Sequence, residues 1–204
     1  MTAASESWQA PALEREDRPQ GRDEPPSPFD DLPGDLMIWV LIVSELLVFG
    51  AGLTAFLAVR ITDPQGFAEA QDQLHRAMAG VNTLVLVTSG WLAALAHRAA
   101  LAAQIARTRG LLAGAGALGL VFLLVKALEY ADAAAQGIST ETHAFFTFYY
   151  LLTGFHAAHV VAGIALFALV AARPTPRPVQ AVTAFWHMVD LVWVLLFPVV
   201  YLLR

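Results

Sequence analysis

Seven ionisable side chains lie inside stretches of this chain that are otherwise apolar: Glu45, Lys126, Glu129, His156, His159, His187 and Asp190. Carboxyl and imidazole groups carry protons, and imidazole nitrogens also ligate metals. Three of the pairs, Lys126–Glu129, His156–His159 and His187–Asp190, repeat the spacing i,i+3. On a helix three residues advance about 300°, so each pair lies within about 60° of a common face. Glu45 stands alone in IVSELLVFGAG, with no basic partner nearby in sequence. It is either a silent interhelical hydrogen-bond donor or a proton carrier. Lys126, the only lysine, either snorkels to an edge or forms a buried ion pair with Glu129 or a neighbour. The two histidines of the fourth run are either hydrogen-bonding glue between helices or ligands for a metal or haem. Asp190 is expected to pair with His187 or with an adjacent helix.

These groups must be positioned by membrane helices. The chain has 204 residues, 57% hydrophobic and 14% charged, with a mean hydropathy of +0.58. A soluble domain carries about 25% charged residues, so this chain has too little polar surface to cover a water-soluble globule. Cysteine is absent, which excludes disulfides, thiolate metal sites and c-type haem attachment. The net charge of −5 excludes a broad basic footprint for nucleic acid. Five apolar runs, at about 36–59, 77–96, 110–130, 144–172 and 181–203, each reach the roughly 20 residues that span a bilayer core. The fold class is therefore all-α: an integral membrane bundle of five transmembrane helices, up-down because the connections are short. Residues 1–35 hold twelve of the 29 charged residues and six of the eleven prolines. That segment is read as a disordered acidic tail, without the basic start and apolar stretch of a signal peptide.

Arginines near the spans number eight on the tail side against three on the other, or five against three without the tail. That bias puts the N-terminus in the cytoplasm and the C-terminus outside. Trp39, Trp91, Trp186 and the cluster Phe145–Tyr150 are read as interfacial anchors or packing, and Gly50, Gly52, Gly90, Gly154 and Gly163 as points of close helix approach. His75, His97 and His143 fall at helix edges and receive no role.

In series, SELLVFGAG at 44–52, NTLVLVTSG at 82–90, ALEY at 127–130, LTGFHAAHVVAG at 152–163 and FWHMVDLVW at 185–193 resemble subunit III of haem-copper respiratory oxidases. The resemblance covers roughly residues 33–203 and implies the five-span form of a family whose larger members have seven. Lys126, where ordinary members tend to have glutamine, together with FFTFYYLLTGFH, looks more like the small NorE-type proteins associated with nitric oxide reductase. The resemblance implies a non-catalytic subunit in a bacterial-type inner membrane, in contact with lipid and packed against catalytic subunit I. It implies no cofactor in this chain, with haem and copper or iron in the partner. The carboxylate matching Glu45 is the family's site of carbodiimide modification, which makes Glu45 the residue for any proton-linked role. Lys126, Glu129, His156, His159, His187 and Asp190 would form the internal polar network. Two rival readings remain: a redox protein holding haem or metal through His156, His159, His187 and Asp190, and an independent proton carrier.

Overall fold

A computed structural model describes residues 36–203; the acidic segment 1–35 lies outside the described residues. Helices α1 (Leu36–Thr62), α3 (Arg76–Leu101), α4 (Ile105–Ala135), α5 (Ala144–Ala172) and α6 (Pro176–Phe197, continued by a π-turn at Pro198–Leu202) are each long and apolar enough to cross a membrane. A helix satisfies all its backbone groups within itself, which hydrocarbon demands. α5 coincides with its apolar run, whereas α3 and α4 extend several residues beyond theirs at their C-terminal ends.

One element has no counterpart in the apolar pattern. The short helix α2 (Pro64–Asp72) occupies the connection between α1 and α3. Its start is local chemistry: the Asp63 carboxylate accepts from the Gly66 N–H at 3.0 Å, and Pro64 sits at the first helical position, where no N–H is needed. Phe67, Ala70 and Gln71 face inward from it.

α3 and α4 are separate helices rather than one continuous rod. The chain breaks at 102–104, where Ala103 has φ +54°. The Gln104 N–H donates to the Ala99 carbonyl and the Ala103 N–H to the Ala100 carbonyl, both at 3.0 Å. The same pair of bonds ends α4, where Gly137 has φ +77° and Ile138 and Gly137 donate to Ala133 and Ala134. This is the Schellman closure, which favours glycine at its left-handed residue. Ala103 carries a Cβ there against the usual preference. Ala103→Gly is therefore expected to stabilise the protein by about 0.5–1 kcal/mol, and Gly137→Ala to destabilise it by a similar amount. Unfolding midpoints of the purified variants check both signs.

Helix α6 is the most buried span and α1 the least. α6 packs against α3, α5 and α1; α3 pairs most extensively with α4, which in turn packs on α5. At the end where α6 begins, the Arg109 guanidinium of α4 donates at 2.9 Å to the carbonyls of both Ala171 and Ala172, satisfying the last turn of α5. At the middle of the bundle Trp186 of α6, wholly buried, occupies a slot floored by glycines from two helices. A Cβ on Gly119 of α4 would lie 2.7 Å from its ring, and one on Gly163 of α5 closer still. The indole N–H donates to Ser89 Oγ at 3.1 Å, and that hydroxyl donates to the Ala115 carbonyl at 2.7 Å. Trp186 is thus a packing wedge rather than an interfacial anchor, whereas Trp91 is exposed. A Cβ on Gly50 would have nothing within 4 Å, so that glycine makes no close approach.

Candidate functional site

The seven intramembrane groups named above separate into two centres and three residues without hydrogen bonds among the described residues. The first centre lies at mid-depth between α1 and α5. Glu45 Oε2 approaches His159 Nε2 at 3.1 Å, with both side chains largely shielded. The approach is oblique, and Glu45 Oε2 makes no aligned hydrogen bond among the described residues. The other ring nitrogen, His159 Nδ1, lies 2.9 Å from the Phe155 carbonyl one turn earlier. A carbonyl only accepts, so Nδ1 carries a proton. Nε2 is therefore the nitrogen that faces the Glu45 carboxyl. Phe49, Phe155 and Phe185 ring the imidazole with centroids at 5.6, 4.7 and 6.3 Å, which limits water.

The second centre lies toward the opposite end of the bundle from the start of α1. Lys126 and Glu129 are both buried, so the snorkelling alternative for Lys126 gives way to the ion pair. Lys126 Nζ donates to Glu129 Oε2 at 3.2 Å, to the Tyr149 hydroxyl at 3.0 Å and to the Tyr201 hydroxyl at 2.8 Å. Both phenols in turn donate to Glu129 Oε1 at 2.8 Å. An ammonium has three N–H bonds, and here each has an acceptor. The cluster closes on itself at zero net charge. The rings of Tyr149, Tyr130 and Tyr201 also face the ammonium, with centroids at 4.7, 4.9 and 5.6 Å. Tyr201 reaches it from the π-turn after Pro198, whose missing N–H interrupts the α-helical ladder. The Val200 carbonyl of that turn accepts from Gln71 Nε2 of α2 at 2.8 Å, so the cluster ties the short helix to the end of the chain.

His156, one turn before His159, points to a different place. Its ring is wholly buried against Trp193, Phe122 and Phe49, and neither nitrogen has a hydrogen-bond partner among the described residues. Asp190 turns to Gly90 of α3 and makes no hydrogen bond among the described residues; its Oδ1 is buried and unpaired there. His187 is exposed beside a cavity between α1 and α6 and does not bond Asp190. Among the described residues no three His, Asp or Glu side chains gather as a metal-holding group. Among the described residues His156, His159, His187 and Asp190 do not gather at one point.

Several polar side chains were not singled out by sequence. Tyr149 and Tyr201 fall in the same layer as Lys126, a depth match that was readable once helix directions were assigned. His143 caps α5: its Nδ1 accepts from the Phe145 N–H at 3.1 Å, so the proton sits on Nε2, which donates to Asp63 Oδ2 at 3.1 Å. This bond, with the Gly66 N–H, holds the Asp63 carboxyl below its ordinary value of 3.8. A depressed carboxylate stabilises the fold above its unfolded pKa and loses that contribution as pH falls through the folded value. The stability of the α2 junction is therefore expected to decline below about pH 4, and less so in Asp63→Asn, as acid-titrated hydrogen exchange at α2 would show.

Residues 35–204 match the family model for cytochrome c oxidase subunit III. The probable cytochrome c oxidase subunit 3 of Mycobacterium tuberculosis is 32% identical over 177 residues, covering 82% of this chain and 86% of that protein. The cytochrome c oxidase subunit 3 of a Synechocystis species is 31% identical over 176 residues, covering 80% and 73%. The haem-copper oxidase subunit I+III of Aeropyrum pernix is 30% identical over 179 residues, covering 81% of this chain and 22% of that one. With five spans in the order and with the intramembrane groups described above, this membrane protein belongs to the cytochrome c oxidase subunit III family.

Proposed function

We propose that this protein is a non-catalytic subunit of a haem-copper respiratory complex, packed against catalytic subunit I, and that it stabilises that subunit and assists its proton uptake. The observation that carries the proton-linked part is the Glu45–His159 contact at 3.1 Å. A carboxyl and an imidazole facing each other at mid-membrane depth are the side-chain types that hold and release protons. The single chain named subunit I+III in Aeropyrum pernix supports the partnership, since fusion keeps two such units together. Haem, with copper or iron, would reside in the partner. The reading places the chain in a bacterial-type inner membrane with its N-terminus in the cytoplasm. Arg98, Arg107, Arg109, Arg173 and Arg177 gather at that end, against Arg60 and Arg76 at the other.

The finer assignment, to a nitric oxide reductase rather than an oxygen-reducing oxidase, rests on Lys126. Its ammonium is fully accommodated by Glu129, Tyr149 and Tyr201. That supports lysine as a built feature of the NorE-type pattern rather than a chance replacement of glutamine. Affinity purification from native membranes tests both levels. A haem-bearing chain is expected to co-purify, and its metal content, non-haem iron or copper, separates the two partners. Recovery of this protein alone would overturn the proposal. Glu45→Gln retains a side chain of similar volume that still hydrogen-bonds, so it should cost less than about 1 kcal/mol in stability and leave assembly intact. Steady-state turnover of the complex should nevertheless fall. Unchanged turnover and proton uptake would remove the basis for a proton-linked Glu45.

A further inference from the structure

One polar group faces out of the bundle where nothing in hydrocarbon can satisfy it. His187 lies eleven residues into α6, about 16 Å from its start, and is exposed on the face between α1 and α3. Asp190, one turn on at about 21 Å, lies behind it, nine-tenths buried. The two converge on Gly90 of α3: a Cβ there would lie 3.6 Å from His187 Nδ1 and 3.3 Å from Asp190 Cγ. Neither side chain hydrogen-bonds within the described residues, and Asp190 Oδ1 is both buried and unpaired. Beside them a cavity of about 280 Å³ lies between α1 and α6, lined by Ile38, Trp39 and Ile42 of α1 and by Gln180, Ala184, His187, Met188 and Leu191 of α6.

An acyl chain would fill that volume, but at this depth it offers no donor or acceptor, and leaving a polar group unpaired in hydrocarbon is costly. A helix of another chain supplies both an apolar side chain for the cavity and a hydrogen-bonding group for His187. We propose that the α1–α6 face around His187 receives a transmembrane helix of a different chain of the complex, which places a hydroxyl, amide or cationic side chain against His187. The inference rests on the reading of this protein as a subunit, and it names a face that the Glu45–His159 centre does not use.

A photoactivatable benzoylphenylalanine at Leu191, exposed on the same face, tests it in native membranes; Leu124, exposed on α4, is the control. The expected product at 191 is an adduct with a transmembrane peptide of another chain that carries a polar residue, absent at 124. His187→Leu should lower recovery of that chain about tenfold at unchanged yield of this protein. Adducts at 191 with phospholipid alone, or with a second copy of this chain, would overturn the inference while a co-purifying haem chain kept the subunit reading intact. Undiminished partner recovery in His187→Leu would overturn it equally. Absence of any haem-bearing partner from the wild-type preparation would strike the subunit reading itself, and the inference with it.

Discussion

Lys126→Met is expected to destabilise the protein by about 3–5 kcal/mol, the usual penalty for removing one partner of a buried ion pair. The methionine fills similar volume, so the loss is electrostatic. Glu129 would keep the two phenol donors on Oε1 but lose its only cation, at a site 5% exposed. Lys126→Gln should cost less than half as much, because an amide still donates to the carboxylate and the phenols. The double variant Lys126→Met with Glu129→Leu removes both charges, and its cost should fall well below the sum of the single effects. Unfolding in mixed detergent micelles measures each midpoint, and a double-mutant cycle should return a coupling of about 2–3 kcal/mol. A change in Lys126→Met below about 0.5 kcal/mol would mean that the ammonium is not held in the cage, against the geometry described above.

Trp186→Ala should be as severe, at about 3–5 kcal/mol, through a different cause. The indole joins α6 to α4 and α5 through the slot at Gly119 and Gly163, and its ring centroid lies 4.7 Å from that of Phe167. Truncation leaves a cavity that rigid helices cannot close. The reverse experiment fills the slot from the other side. Gly163→Ala places a Cβ 2.6 Å from Trp186 Cζ3, so the ring must move, at about 1–3 kcal/mol. Combining Gly163→Ala with Trp186→Phe should recover part of that loss, since the smaller ring frees the space. If the two changes proved simply additive, the wedge would not be where α5 and α6 are held together.

The i,i+3 pairs show how far spacing carries. Lys126 and Glu129 bond each other as the spacing allows, because both point inward from a helix packed on two neighbours. His156 and His159 have the same spacing and part company. Sixty degrees on α5 is enough to turn His156 into the aromatic interior at Trp193 while His159 turns to Glu45 of α1. His187 and Asp190 both lie against Gly90 of α3 yet make no hydrogen bond to each other, and His187 also borders the cavity beside α1. Spacing along a helix fixes the angle between two side chains; it does not fix where neighbouring helices stand relative to them.

The order and span of the membrane helices, and the depth of Glu45, Lys126 and the histidines, were determined by the chain alone. Hydrocarbon admits only long apolar helices, and the rise per residue turns position in sequence into depth. The tertiary structure decided everything that depends on lateral neighbours. It brought Tyr149 and Tyr201 to Lys126, set His159 against Glu45, and left Asp190 unpaired behind an exposed His187. It also used local exceptions that apolar patterning does not register: the Asp63-capped α2, the left-handed Ala103 and the π-turn that aims Tyr201. Which helix stands beside which is set by packing among surfaces of nearly equal hydrophobicity, so composition carries little of it.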